Sequence, residues 1–264
     1  MPLDRGGPTA PATLLILGGT TEAAALARAV VARFGPAVRV VTSLAGRTER
    51  PGPLPGEVRV GGFGGPDGLA AWLDREQVTA LVDATHPFAA TMSANAAAAC
   101  ERAGVPRLML VRPMWRRDPA DRWIDVPDTA AAVRTLDHIG RRVFLTTGSG
   151  EFNAFSGVSH VWFLVRAVDR PAAGVPLPDH HLILARGPFR EAEERALMLH
   201  HRIDLVVTKA SGGAATEGKI LAARALGLPV VMIRRPPAPA GEHAGDVDAA
   251  MDWLRRQLAI AEPA

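Results

Sequence analysis

The strongest constraint on this chain is a rhythm. Short runs rich in Leu, Ile and Val alternate with Ala-rich stretches of helical period over most of its length. Strands are expected at 13–17, 38–42, 57–60, 79–83 and 107–111, with helices at 22–33, 66–76 and 88–103 between them. A second series gives strands at 142–146, 161–165, 181–185, 203–208 and 229–233. Its helices fall at 129–139, 191–201, 216–226 and 246–260, the last one after a Pro236-Pro237-Ala238-Pro239 turn. Most of the strands lack a polar alternate, as strands buried on both faces do. The expected fold is therefore α/β: two Rossmann-like domains with mainly parallel sheets flanked by helices, and a ligand cleft between them. Residues 112–128, with prolines, tryptophans and mixed charge, read as the linker, and the expected division is 1–115 and 116–264.

Composition narrows the chemistry. With 264 residues and 48% of them hydrophobic, the chain can bury a large core or two small ones, and a net charge of +3 argues against disorder. No run approaches the roughly 18 apolar residues of a membrane span, and the start lacks the apolar stretch of a secretory signal, so a cytoplasmic location is expected. The single cysteine, Cys100, excludes an internal disulfide and any multi-thiolate metal site; within an alanine run it reads as a buried helix residue, and no metal is expected. There is no tyrosine, which removes chemistry based on a Tyr–Lys pair. Lysine and arginine together number 30, yet only Lys209 and Lys219 are lysines, a local demand for an ammonium or chance. No basic run with interleaved aromatics points to nucleic acid.

The first strand leads into Gly18-Gly19-Thr20-Thr21-Glu22-Ala23, a glycine turn opening a helix. Such turns let backbone N–H groups approach a phosphate at the positive end of a helix. Gly18 and Ala23 fit the dinucleotide fingerprint, but Thr20 stands where its second glycine belongs; an ordinary turn with Thr20 or Thr21 as N-cap is the competing reading. The next strand ends in Ser43-Leu44-Ala45-Gly46-Arg47, without the acid that would accept from a ribose hydroxyl. Ser43 and Arg47 suit a 2′-phosphate, favouring NADP over NAD. Gly61-Gly62-Phe63-Gly64-Gly65 either clears space beside a coenzyme or forms a flexible loop. The fourth strand ends in Asp83-Ala84-Thr85-His86-Pro87-Phe88, where His86 is a candidate proton donor or a structural hydrogen-bonding group.

Several later strands end in a cation: Arg112, Arg166, Arg186, Lys209 and Arg234, with Arg116 and Arg117 in the linker. In a parallel sheet such ends share one edge, so they are expected to gather around a ligand with several carboxylates or phosphates. The alternative is that each pairs with a local acid. Gly213-Ala214-Ala215-Thr216-Glu217-Gly218-Lys219-Ile220 nearly spells a phosphate-binding loop of the Walker A type, but Ile220 stands where a hydroxyl should hold magnesium. It reads as an anion cradle rather than an ATPase.

In combination, Leu17-Gly18-Gly19-Thr20-Thr21-Glu22, Thr42-Ser43-Leu44-Ala45-Gly46-Arg47, Val60-Gly61-Gly62-Phe63-Gly64-Gly65, Asp83-Ala84-Thr85-His86-Pro87-Phe88-Ala89, Ala185-Arg186-Gly187-Pro188-Phe189 and Lys209-Ala210-Ser211-Gly212-Gly213 resemble the precorrin-6A reductase family. The resemblance implies an NADPH-dependent oxidoreductase that reduces a double bond of precorrin-6A to give precorrin-6B in cobalamin biosynthesis. It implies an NADPH-binding domain at 1–115, using Gly18, Gly19, Thr20, Thr21, Glu22, Ser43, Arg47, Gly61, Gly62, Phe63, Thr85 and His86. It implies a tetrapyrrole-binding domain at 116–264, the substrate being gripped by Arg112, Arg116, Arg166, Arg186, Lys209, Ser211, Gly212, Gly213, Thr216 and Lys219. A monomer or weak homo-oligomer is expected, with neither nucleic acid nor membrane as partner. Thr147-Gly148-Ser149-Gly150 departs from the pattern by lacking a basic residue after the glycine. The other readings are a P-loop-like phosphotransferase, a non-catalytic tetrapyrrole or nucleotide carrier, and a tetrapyrrole methyltransferase.

Overall fold

A computed structural model describes residues 11–46 and 52–258. The chain forms two compact units, one of Met1–Arg112 with Pro236–Ala264 and the other of Pro113–Arg235. The first holds strands β1 (Ala12–Leu17), β2 (Val38–Leu44), β3 (Glu57–Val60), β4 (Val78–Asp83) and β5 (Arg107–Leu110), with helices α1 (Thr21–Phe34), α2 (Gly65–Arg75) and α3 (Ala90–Ala103). The second holds β6 (Arg122–Val126), α4 (Thr129–Leu136), β7 (Arg142–Leu145), β8 (Trp162–Ala167), β9 (His180–Leu184), α5 (Glu191–His200), β10 (Leu205–Lys209), α6 (Gly218–Ala225) and β11 (Pro229–Ile233). The chain then returns to the first unit as β12 (Glu242–Ala244) and α7 (Val247–Leu258).

Each unit contains a six-stranded sheet, ordered β12-β5-β4-β1-β2-β3 in the first and β6-β11-β10-β7-β8-β9 in the second. Every pairing is parallel. The α/β class read from the rhythm is thus the class observed. Burial on both faces explains the apolar runs: Leu14 and Ile16 pack under α1 and α7, while Leu15 and Leu17 pack under α2 and α3, all at 2% exposure or less. The second sheet is filled the same way by Val143, Phe144, Leu145, Phe163, Leu164, Val165, Leu205, Val206 and Val207, each fully buried.

The sixth strand of each sheet crosses over in the chain: β6 falls in the expected linker, and β12, expected with the second domain, joins the first sheet. β6 follows β5 in the chain but lies beside β11, and β12 follows β11 but lies beside β5. The first sheet is therefore completed by the chain's last strand and helix, and the second by the strand that precedes its own β7. Residues 236–258, expected with the second domain, belong with the first. The reason is packing. Helix α7 buries Ala250, Met251, Trp253, Leu254 and Leu258 in the core that contains Leu14 and Ile16, and Trp253 donates from Nε1 to Glu242 at 2.8 Å. The supposed linker contains β6, whose neighbour β11 gives it a full parallel register. No helix among the described residues is long and apolar enough to cross a membrane.

This exchange predicts how fragments behave. Residues 113–235 should unfold cooperatively on their own in denaturant. Residues 1–115 should not, because removing α7 exposes the seats of Trp253 and Leu254, each side chain contributing about 2 kcal/mol by burial. Fusing 236–264 ahead of 1–112 through a linker should restore the transition; cooperative unfolding of 1–115 alone would contradict the assignment.

Candidate functional site

In an open parallel sheet ligands lie beyond the carboxyl ends of the strands, at the point where strand order reverses. That point falls between β1 and β4 in the first unit and between β7 and β10 in the second.

At the β1–β4 point the turn after β1 is set by close packing. A Cβ on Gly18 would come within 2.9 Å of the Thr42 methyl, and Gly19 has φ of +105°. Thr20 caps α1, its Oγ1 accepting from Ala23 N at 3.1 Å while donating to the Ala84 carbonyl at 2.7 Å. The residue that departs from the glycine fingerprint is thus the one that ties the turn to the end of β4. Asp83, 1% exposed, continues the arrangement: Oδ1 accepts from the Thr85 amide at 3.1 Å and its hydroxyl at 2.7 Å. Its Oδ2 is buried with no hydrogen-bond partner among the described residues. Thr20, Glu22, Thr85, Pro87, Leu110 and Arg112 line one cleft here. Arg112, expected on the substrate, pairs with Glu22 at 3.0 Å, and Thr21 Oγ1 donates to the same carboxylate at 3.1 Å. His86 Nδ1 accepts from the Phe88 amide at 3.3 Å, so a neutral ring carries its proton on Nε2. The ring therefore makes the local hydrogen bond of the structural reading.

Beside the next strands, Ser43 is 6% exposed and faces a cation that the sequence reading missed. Arg59 donates to the carbonyls of Gly61 and Gly62 at 2.5 Å each and to Ser43 Oγ at 3.4 Å, with its guanidinium 3.8 Å from the Phe63 ring centre. The Gly61–Gly62 loop thus holds a guanidinium beside the hydroxyl. Burial, with Arg75 nearby, pulls Arg59 below the usual guanidinium value. Arg47 lies outside the described residues. The legible signal for Arg59 was its place next to Gly61-Gly62 and across from Ser43 in register.

Around the β7–β10 point, Arg166 lies one residue inside the end of β8, Lys209 ends β10, and Arg186 and Arg234 follow β9 and β11. Their states differ. The Arg166 guanidinium makes a two-pronged pair with Glu194 at 2.5 and 2.9 Å, the side chains being 8% and 3% exposed, under the Phe189 ring. A buried arginine without such a partner would carry a desolvation cost of several kcal/mol. Lys209 pairs with Glu151 at 2.9 Å. Arg116, Arg186 and Arg234 are exposed. Lys219 is 3% exposed, donates to the Thr216 carbonyl at 3.0 Å and lies 4.9 Å from the Trp115 ring centre. Ser211 is buried, and Gly212 and Gly213 have φ of +63° and +81°. A Cβ on Gly212 would collide with the Pro113 carbonyl. Two residues that motif reading did not select fix this loop: Arg235 donates to the Ala210 and Ser211 carbonyls at 2.7 and 3.0 Å, and Trp115 Nε1 to the Gly213 carbonyl at 2.9 Å. Cys100 is inert, burial pushing its thiol up to about 12.

A family model described as Precorrin-6x reductase CbiJ/CobK matches residues 13–255, spanning both strand-end sites and the exchanged β12 and α7. The chain belongs to this family. A precorrin-6A reductase of Rhodococcus erythropolis is 51% identical over 242 residues, 91% of this chain and 96% of the relative. A cobalt-precorrin-6A reductase of Salmonella typhimurium is 30% identical over 260 residues, 94% of this chain and 98% of that one. The solved structure of a CobK precorrin-6A reductase superposes with a TM-score of 0.88 at 44% identity, covering 93% of this chain and 97% of the other.

The Arg166–Glu194 pair predicts a stability effect within this CbiJ/CobK fold. Arg166→Met should cost about 3–5 kcal/mol in denaturant unfolding by leaving Glu194 buried and unpaired, and adding Glu194→Met should recover most of it. A single substitution of no consequence would show that Arg166 is held for a ligand instead.

Proposed function

We infer that the chain is a precorrin-6A reductase of cobalamin biosynthesis, that NADPH is its reductant, and that the first unit holds the coenzyme while the second holds the macrocycle. What carries the activity is the near-full-length similarity to proteins of that name. What supports the choice of coenzyme is the Arg59–Ser43 pair. β2 ends in Thr42-Ser43-Leu44, with no carboxylate to accept from an unphosphorylated ribose, and a guanidinium with a hydroxyl suits a 2′-phosphate. The turn with Gly19 at positive φ and the start of α1 fit a pyrophosphate.

When bound, NADPH supplies a hydride from C4 of its dihydronicotinamide to one carbon of the reduced double bond, the other carbon taking a proton. The chain's part is placement. Thr20 and Asp83 fix the floor of the cleft, Thr85 has its hydroxyl direction set by Asp83, and Glu22 with Arg112 closes one side without leaving a net charge there. Where the protein supplies the proton, His86, just beyond the end of β4, is the candidate donor. In the second unit the exposed Arg116, Arg186 and Arg234 together with Lys209 meet the macrocycle's acetate and propionate groups, and Ser211, Gly212, Gly213 and Thr216 form the loop beside them. Higher identity to a relative named for the metal-free precursor than to one named for its cobalt form supports a cobalt-free substrate. A cytoplasmic location belongs to the same reading, because its reductant is a cytoplasmic coenzyme.

The purified chain with cobalt-free precorrin-6A should consume NADPH and use NADH at least about tenfold less efficiently, the worth of one charge-assisted phosphate contact. Arg59→Met should raise the KM for NADPH by a similar factor and leave that for NADH within about twofold. Equal effects on both coenzymes would contradict the phosphate assignment.

A further inference from the structure

The β7–β10 point carries an acid that the proposed function does not use. After β7 the chain runs through Thr146, Thr147 and Gly148 into a 3-10 helix, Ser149–Phe155. Glu151 on that helix reaches across the reversal point to the end of β10. Its Oε1 accepts from Lys209 Nζ at 2.9 Å, and its Oε2 accepts from the Thr129 hydroxyl, also at 2.9 Å, in the first turn of α4. Both carboxylate oxygens are therefore held, which fixes the acid rather than leaving it to swing at the surface. The Lys209 side chain is 14% exposed and that of Glu151 32%, so the pair lies at a rim that solvent and solutes reach. Beside it Thr147, 6% exposed, has a buried Oγ1 with no hydrogen-bond partner among the described residues.

We propose that Glu151 is a specificity-determining residue: its carboxylate holds the seat on Lys209 that a substrate carboxylate takes, so binding exchanges one carboxylate for another. This rests on the reading of the second unit as the macrocycle-binding one. The exchange keeps Lys209 paired before and after binding, which avoids leaving a largely buried ammonium without a counter-charge. It also costs affinity, because the incoming carboxylate must displace Glu151 and then lies near its negative charge. A ligand with several carboxylates makes up that loss elsewhere on the rim, whereas a ligand with one does not. Glu151 thereby selects polycarboxylates over monocarboxylates.

The test is steady-state kinetics of the full chain with precorrin-6A and NADPH. Glu151→Gln should lower the KM for precorrin-6A about two- to fivefold, the effect of removing one partly exposed charge pair, the gain lying in KM rather than kcat. The KM for NADPH should not move. Lys209→Met should raise the KM for precorrin-6A, and Glu151→Gln added to it should give no further gain. Thermal melting of each variant separates these effects from misfolding. If Lys209→Met raises KM but Glu151→Gln leaves it unchanged or raises it, the exchange is overturned while the reading of the second unit stands. If Lys209→Met leaves the KM for precorrin-6A unaltered, both are overturned.

Discussion

Parallel pairing is the constraint on which the rest depends. Parallel strands cannot be joined by tight hairpins, so each crossover carries a helix or a long loop, and every strand delivers its carboxyl end to the same edge. Repeated in two six-stranded sheets, this collects Gly18–Gly19 and Asp83–Thr85 at one reversal point and Thr147–Glu151 and Lys209–Gly213 at the other. Residues far apart in sequence become neighbours because the hydrogen-bond ladder leaves them no other place. The sixth strands obey the same rule: β12 extends a sheet that the other half of the chain began, and β6 completes the sheet of the strands that follow it.

Charge is managed locally at both edges. Arg112 has Glu22, Arg166 has Glu194, Lys209 has Glu151, and Arg59 has the carbonyls of Gly61 and Gly62. A rim of bare, half-buried cations would repel itself and lose hydration, so the folded chain supplies its own acceptors. These pairs are not equivalent. Arg166–Glu194 is sealed beneath Phe189, whereas Arg112–Glu22 and Lys209–Glu151 lie beside the two reversal points.

The sequence made the main strands legible because strands buried on both faces must be apolar throughout, as Leu14-Leu15-Ile16-Leu17 is. It hid β6, since Arg122, Ile124 and Asp125 are exposed on an edge strand and carry no such signature. β12 is three residues long and is defined by its backbone pairing to β5, which no local pattern encodes. The glycine turn and the paired polar ends of β4 were readable as motifs. The acids opposite Arg166 and Lys209 were not, because an ion pair between residues 28 or 58 positions apart is set by the packing of whole elements. The surroundings of Lys219 were hidden for the same reason: its place in a near-match motif said nothing of the Trp115 ring against which it folds.

The central claim is that each reversal point serves one ligand, the coenzyme at β1–β4 and the macrocycle at β7–β10. Hydrogen–deuterium exchange of the full chain with saturating NADPH alone tests it most directly. The account predicts slowed exchange in peptides covering residues 18–24, 43–46, 61–65 and 83–89, with residues 146–151 and 209–213 unchanged. Protection appearing at 209–213 and absent from 18–24 would reverse the two assignments and contradict the account.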